Sequence, residues 1–440
     1  MHKQAGRSQA GVFKTLLIMA LGAAAGAAQA QPSAAELDRL ASNYQPQVVE
    51  WRRHFHANPE LSNREFETSA FIAEQLRRLG MEVETGIAHT GVVGLLKGGQ
   101  PGPLVAVRAD MDGLPVTEQT GLPFASTATA EFNGQEVGVM HACGHDTHMA
   151  MVLGVAEVLS AVKDDLPGSV LFIFQPAEEG APDGEEGGAE LMLKEGLFER
   201  YDPQAIFGLH IGLNMPGGLI AVRSGAAMAA VDEFRIKVQG QQTHGARPWG
   251  GIDPIVVGSQ IVMGLQTIAS RQLQITKAPY IITVGQFTAG IRNNIIPNEA
   301  NMWGTIRSFD APMQDDMHRR IRQTAEGIAA SAGTTAEVMI RRQYPATVND
   351  PTLTARMMPT LQRVTGDQVV TPELVTGAED FSFFAQQIPG LFLFLGAAAP
   401  DAEAKELPGN HSPLFDVHEP NMELGVRALS QLVVDYLAAE

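Results

Sequence analysis

The chain has 440 residues, 45% of them apolar, and carries 31 Lys and Arg against 49 Asp and Glu, a formal net charge of −18. That acidity, with no local basic cluster, opposes nonspecific binding to nucleic acid or anionic membrane, so neither is expected as a partner. One core usually stops growing at about 250 to 300 residues, so two domains are expected, and a single cysteine, Cys143, excludes an internal disulfide.

In chain order, His2, Lys3, Arg7 and Lys14 precede an apolar stretch from Leu16 to Ala27 and the ending Ala28-Gln29-Ala30. This is the pattern of a cleaved secretory signal over residues 1–30. Its removal takes away three Lys or Arg and no acid, so 28 against 49 leaves the mature chain near −21. The stretch is short for a membrane span and no later run replaces it, so an uncleaved anchor is the alternative to a cleaved signal. An exported protein, periplasmic or secreted, with no stable membrane insertion after signal cleavage is expected.

Helices are predicted from Ala34 to His56, Arg64 to Leu79, His145 to Val162 and Gly187 to Lys194. Between them lie nearly continuous apolar runs from Leu104 to Arg108, Ser169 to Phe174 and Ala205 to Leu209. Such runs spaced by helices predict an α/β domain, a mainly parallel sheet with helices on both faces. From about residue 221 the order becomes strand Asp232 to Val238, helix Pro254 to Ser270, strands Tyr280 to Phe287 and Asn301 to Phe309, helix Pro312 to Ala332 and strand Ala336 to Arg341. That βαββαβ order is ferredoxin-like α+β, read as a domain over 221–342 inserted into one formed by 31–220 and 343–440. The first texture then returns with helix Pro351 to Val364, strand Leu391 to Leu395 and a closing helix from about Glu419 to Ala438.

Outside the insertion, five strings hold donors suited to divalent metal: Asp110-Met111-Asp112, His141-Ala142-Cys143-Gly144-His145-Asp146, Glu178-Glu179-Gly180, Gly208-Leu209-His210 and Asn410-His411-Ser412-Pro413. Several follow a strand's last apolar residues, where ligands gather in open α/β sheets. Two adjacent glutamates suit a hydrolytic metal site: one binds the cation while the other takes a proton from water, whose pKa such a cation lowers to roughly 7. Cys143, His145, Glu179, His210 and His411 make five donors, too many for one open catalytic zinc and suited to two ions sharing a bridge. Thiolate and imidazole favour zinc; manganese, cobalt or nickel are alternatives.

With Trp51-Arg52-Arg53-His54-Phe55-His56, Gln175-Pro176-Ala177 and Gly377-Ala378-Glu379-Asp380-Phe381, these ordered strings resemble the hippurate hydrolase and indoleacetyl-amino-acid hydrolase branch of the co-catalytic metallopeptidases. That superfamily also includes aminoacylases and glutamate carboxypeptidases, and the likeness spans the mature chain. It implies a zinc-peptidase-like catalytic domain holding two divalent ions through Cys143, His145, Glu179, His210 and His411. Cys143 stands where the relatives have a bridging aspartate, and Glu178 matches the general base that later passes its proton to the leaving amine. Asp112 matches an acid that orients a ligand, and Asp110 occupies a position where the wider superfamily has a ligand histidine.

The resemblance also makes the insertion a lid that serves for homodimerisation. His244 matches a histidine that polarises the scissile carbonyl, often in the partner subunit's site, and Trp249 stands where many relatives have a second histidine. Asn294 and Arg307 match residues that hold the substrate's α-carboxylate, for which a guanidinium fork is apt. His54, His56, His89, His141 and His148 are read as structural or supporting. The implied reaction is cleavage of the amide of an N-acyl or N-aminoacyl amino acid with a free carboxylate. A carboxypeptidase or dipeptidase acting on short peptides, and a periplasmic metal- or conjugate-binding protein, are the alternatives.

Overall fold

A computed structural model describes residues 31–399, 402–403 and 407–438. The expected signal segment, 1–30, lies outside the described residues. No described helix is long and apolar enough to cross a membrane.

The central sheet has eight strands in the order Glu82–Ile87, Gly91–Lys97, Pro167–Gln175, Gln100–Asp110, Ala205–Pro216, Gly390–Ala398, Ile220–Ala221 and Val369–Val370. Its middle four strands are parallel, with Ser169 beside Leu104, Val105 beside Ala205 and Gly208 beside Phe392. This is the mainly parallel α/β class expected from their unbroken apolar runs. An antiparallel hairpin, Glu82–Ile87 with Gly91–Lys97, adds an edge that the sequence reading did not include. Its turn passes through Ala88 and His89 at φ 49° and 76°.

Helices cover both faces. On one, Ala34–Ala57, His145–Ala161, Pro351–Thr365 and Met422–Ala438 bury Val107, Phe172, Phe207 and Leu393. On the other, Gly188–Lys194 and Phe381–Gln387 pack on Leu171, Ile173, Ile206 and Phe392. The helix His145–Ala161 is buried at every position through Leu159, as a sequence apolar on all sides requires.

A second, antiparallel sheet has the order Tyr280–Ala289, Glu299–Ser308, Ala230–Gln239 and Ala336–Tyr344. Helices Pro254–Thr267 and Ala311–Ser331 start at Asp253 and Asp310, whose carboxylates cap the first turn, each with a proline in that turn. With Phe234, Ile236 and Met302 they close a separate apolar core. The opposite face carries exposed Trp303 and Met339. The sheet thus runs from Ala230 to Tyr344, where the sequence suggested 221–342. Residues Gly225–Met228 pair instead with the returning Thr347–Asn349, forming a two-stranded stalk.

Candidate metal centre

Four segments of the larger sheet region converge on Cys143. Sγ of Cys143 lies 3.4 Å from Nε2 of His210, and two donor triplets, Cys143 with His145 and His210 and Cys143 with Glu179 and His411, each fit within 4.8 Å. All five residues expected to hold metal are therefore brought together, with Cys143 common to both sets. Glu178 joins His145 and Glu179 in a third such group.

Local chain geometry sets each donor. Between Cys143 and His145, Gly144 has φ 94°, and a Cβ there would lie 2.5 Å from Cδ1 of Ile211, so only glycine turns the chain into the helix. His210 sits inside its strand rather than after it, because pairing with Gly390–Ala398 continues to Pro216. His411 has φ 69°; its N–H donates to the Ala142 carbonyl at 2.7 Å. Asn410 Nδ2 donates to the Cys143 carbonyl at 3.0 Å, tying the two loops together.

The imidazoles are preset. Nδ1 of His145 faces the Asp112 carbonyl at 2.8 Å, and Nδ1 of His210 faces the Ile211 carbonyl at 2.8 Å. Each then donates from Nδ1 and keeps a lone pair on Nε2, as a ligand needs. Nε2 of His145 is buried and has no hydrogen-bond partner among the described residues. That orphaned acceptor beside a thiol and carboxylates fits a divalent cation. Burial, and then His148, hold the His210 imidazole well below its usual range and so neutral. Hydrogen bonds to Cys143 and Glu179 push His411 up to about 10.

Asp112 organises the acids. Its Oδ1 accepts the Glu178 N–H and its Oδ2 the Glu179 N–H, both at 3.0 Å, while Ser62 donates to Oδ2 at 2.7 Å. Asp110 accepts from Nδ1 of His148 at 2.7 Å and from Arg108 at 2.8 Å. It belongs to the group Asp110, His145 and His148, with its Oδ2 3.8 Å from Nε2 of His145. His148 is satisfied on both nitrogens, since Nε2 accepts the Ile211 N–H at 2.9 Å.

Glu178 is buried, and burial first, then crowding by Glu379, Glu179 and Asp380, raises its carboxyl well above the usual range. Two of these acids converge on Arg108, which donates to Asp380 and lies 2.8 Å from Glu379. Three positions around Glu178 carry no role in the sequence reading. Glu65 accepts the N–H of Ala177 at 2.9 Å, and Ala177 is a non-glycine residue at φ 52°. Tyr344 donates its hydroxyl to the Glu178 carbonyl at 2.7 Å. Arg108 is fully buried beneath them. No local spacing marks any of the three.

Of the other histidines, His54 stacks on Phe71 with ring centroids 4.3 Å apart, and His56 is held by Asp146 and Glu118. Nε2 of His89 meets the Glu186 carbonyl at 3.1 Å. His141 is buried, with both nitrogens unpartnered among the described residues and burial lowering it to about 4.

A cavity of about 420 Å³ opens over the cluster, and Arg307 and Tyr344 from the second sheet line it with Cys143, Glu178 and His411. Nε of Arg307 donates to the Thr376 carbonyl at 3.1 Å. His244 and Asn294 do not line it. They are exposed on a small ribbon in which Thr243–His244 pairs with Ile295–Ile296. There Nδ1 of His244 accepts the Ala246 N–H at 3.0 Å, leaving Nε2 to donate outward. Trp249 is 78% exposed on the same part of the chain.

The chain resembles known proteins over nearly its whole described length. It is 41% identical over 391 residues to thermostable carboxypeptidase 2 of Saccharolobus solfataricus, covering 88% of this chain and 95% of that one. It is 35% identical over 401 residues to IAA-amino acid hydrolase ILR1-like 2 of Arabidopsis thaliana, covering 89% and 86% respectively. Among solved structures, the YXEP protein of Bacillus subtilis, described as a dinuclear metal binding peptidase from the M20 family, superposes with a TM-score of 0.76 at 33% identity. That match covers 91% of this chain and 100% of the other. Residues 106–435 match the description Peptidase family M20/M25/M40. With the cluster around Cys143 as its centre, the chain belongs to that family.

Proposed function

We propose that this metal-dependent hydrolase is an exported two-metal amidohydrolase that cleaves the amide of N-acyl or N-aminoacyl amino acids with a free carboxylate. The observation that carries the reading is the sharing of Cys143 between two donor triplets with the Glu178 carboxyl beside them. His145, Glu179, His210 and His411 would complete the two sites, for zinc or manganese, or for cobalt or nickel. Bound there, divalent ions supply Lewis acidity and make water at the site acidic enough for a carboxylate to deprotonate.

Within the chain's own residues the work divides as follows. Glu178 takes a proton from water and returns it to the leaving amine; its raised affinity for a proton suits both steps. Arg307, reaching the cavity from the second sheet, holds the substrate's carboxylate. Asn294 and the outward Nε2 of His244 stand on an exposed ribbon, which favours their acting on a second copy of the chain. His244 would there steady the developing oxyanion. We read the sheet from Ala230 to Tyr344 as a lid through which a homodimer forms, beside a catalytic domain built from the flanking segments.

The likeness to a carboxypeptidase favours a second reading, short peptides as substrates. Turnover of benzoyl-glycine beside a free-amine dipeptide by metal-loaded protein separates the two. Preference for benzoyl-glycine is expected; exclusive turnover of the dipeptide would favour the peptidase reading. Equilibrium sedimentation of wild type tests the dimer.

A further inference from the structure

The cavity over the metal donors does not end at Arg307. Val231 and Arg307 also border a hollow of about 580 Å³ that lies over the open face of the second sheet. On strand Glu299–Ser308, Arg307, Thr305 and Trp303 share that face, with Val231, Glu233 and Arg235 opposite them on the next strand. Same-face neighbours are spaced about 6.8 Å apart along a strand, so Trp303 stands about 13 Å beyond Arg307.

Between these two the floor carries Thr305, with Glu233 across the pair. On the neighbouring strand Gly285 sits at a bulge where a Cβ would meet only the Trp303 carbonyl, at 3.9 Å. Trp303, 47% exposed, closes the far end. Arg235 lies on its ring, 4.8 Å from the centroid, and its Nε is paired with Glu233 at 2.8 Å. Glu233 is thus matched by Arg235, the near end stays cationic through Arg307, and Gln286 and Gln343 line the rest.

We propose that this hollow receives the side chain of the substrate's amino-acid half, and that the side chain it fits is large, neutral and aromatic. The inference rests on the reading of Arg307 as the carboxylate holder in an amide hydrolase. With the carboxylate fixed there and the scissile amide turned to the metal donors, the remaining α-substituent has the adjoining hollow before it. A flat ring lies over Thr305 and Gly285 and meets Trp303, where aromatic pairs gain beyond simple burial. A carboxylate side chain would instead give up its water against the Trp303 ring.

The test compares kcat/KM for benzoyl-phenylalanine, benzoyl-glycine and benzoyl-glutamate in metal-loaded wild type, Trp303→Ala and Gly285→Leu. Wild type should favour phenylalanine over glycine and glutamate by about tenfold or more. Both variants should lower the phenylalanine-to-glycine ratio by a similar factor, one by removing the end wall and the other by filling the hollow. No preference for phenylalanine in wild type, or equal slowing of both substrates in both variants, would overturn the proposal. So would a changed mass in solution for Trp303→Ala with an unchanged ratio, since the face would then be a contact between copies.

Binding is read separately in metal-loaded Glu178→Gln, by quenching of tryptophan fluorescence with benzoyl-phenylalanine. Quenching that is lost with Trp303→Phe supports the hollow. If it appears while wild type hydrolyses no conjugate, the assigned reaction fails and the hollow stands. If it is absent, the hollow fails.

Discussion

Asp112 holds the backbone of Glu178, 66 residues further along the chain, with the Glu178 N–H at 3.0 Å from Oδ1. The next residue, Glu179, donates to the other oxygen, and Nδ1 of His145 lies 3.3 Å from Oδ1. One carboxylate therefore aligns the proposed base and two of the proposed metal donors. Asp112→Asn presents an amide N–H₂ to one of these backbone donors, and metal affinity or kcat/KM should fall about 10- to 100-fold. Metal titration followed by kinetics checks this; full metal affinity with unchanged rates would show that the alignment does not matter.

Tyr344 couples the second sheet to the same turn. Tyr344→Phe leaves the Glu178 carbonyl without its donor, at a cost of about 1 to 3 kcal/mol. A lower Tm is expected, with a fall in kcat larger than any rise in KM. Calorimetry and steady-state kinetics measure the two effects, and an unchanged kcat at an unchanged Tm would count against the coupling.

Gly144→Ala should disturb the donor set from the backbone. At φ 94° with Ile211 2.5 Å from the added carbon, a loss of about 1 to 3 kcal/mol is expected from the conformation alone. Weaker metal binding should accompany it. Denaturant unfolding with metal analysis would show a normal protein if the turn tolerates a side chain.

Below the site, His56 ties the first helix to Asp146 at 2.8 Å and to Glu118 at 3.1 Å. Burial alone would lower this imidazole, but these hydrogen bonds outweigh it and push it up to about 9. An unfolded imidazole titrates near 6.5, so the folded form binds its proton more tightly. The stabilisation is complete below about pH 6.5 and is lost as pH rises through 9, on the order of 3 kcal/mol at most. Tm should fall across that window in wild type and less steeply in His56→Gln. Parallel slopes would assign the pH dependence to other groups.

Much of the fold and site was legible in the sequence because the informative residues lie in short strings at strand ends. The apolar runs around Val105, Phe172, Phe207 and Leu393 carry the parallel strands, and Cys143, His145, Glu178 and Glu179 are near neighbours in the chain. The rest depends on contacts between distant residues. Glu65 reaches Ala177, 112 residues away, and Arg108 reaches Asp380, 272 residues away, and no local pattern marks such pairs. The edge hairpin was missed although its run from Val92 to Leu96 is apolar, since its turn at Ala88 and His89 lacks glycine at the two left-handed positions. His244 and Asn294 resemble substrate-binding residues, yet within one chain they stand apart from the metal donors.

The central measurement is hydrolysis of a panel of N-acyl amino acids by metal-reconstituted wild type and Glu178→Gln, with bound metal determined for each. Turnover in wild type that collapses in Glu178→Gln at equal metal content is the expected result. Equal turnover in both proteins, or none in either despite full metal loading, would contradict metal-assisted amide hydrolysis with Glu178 as the base.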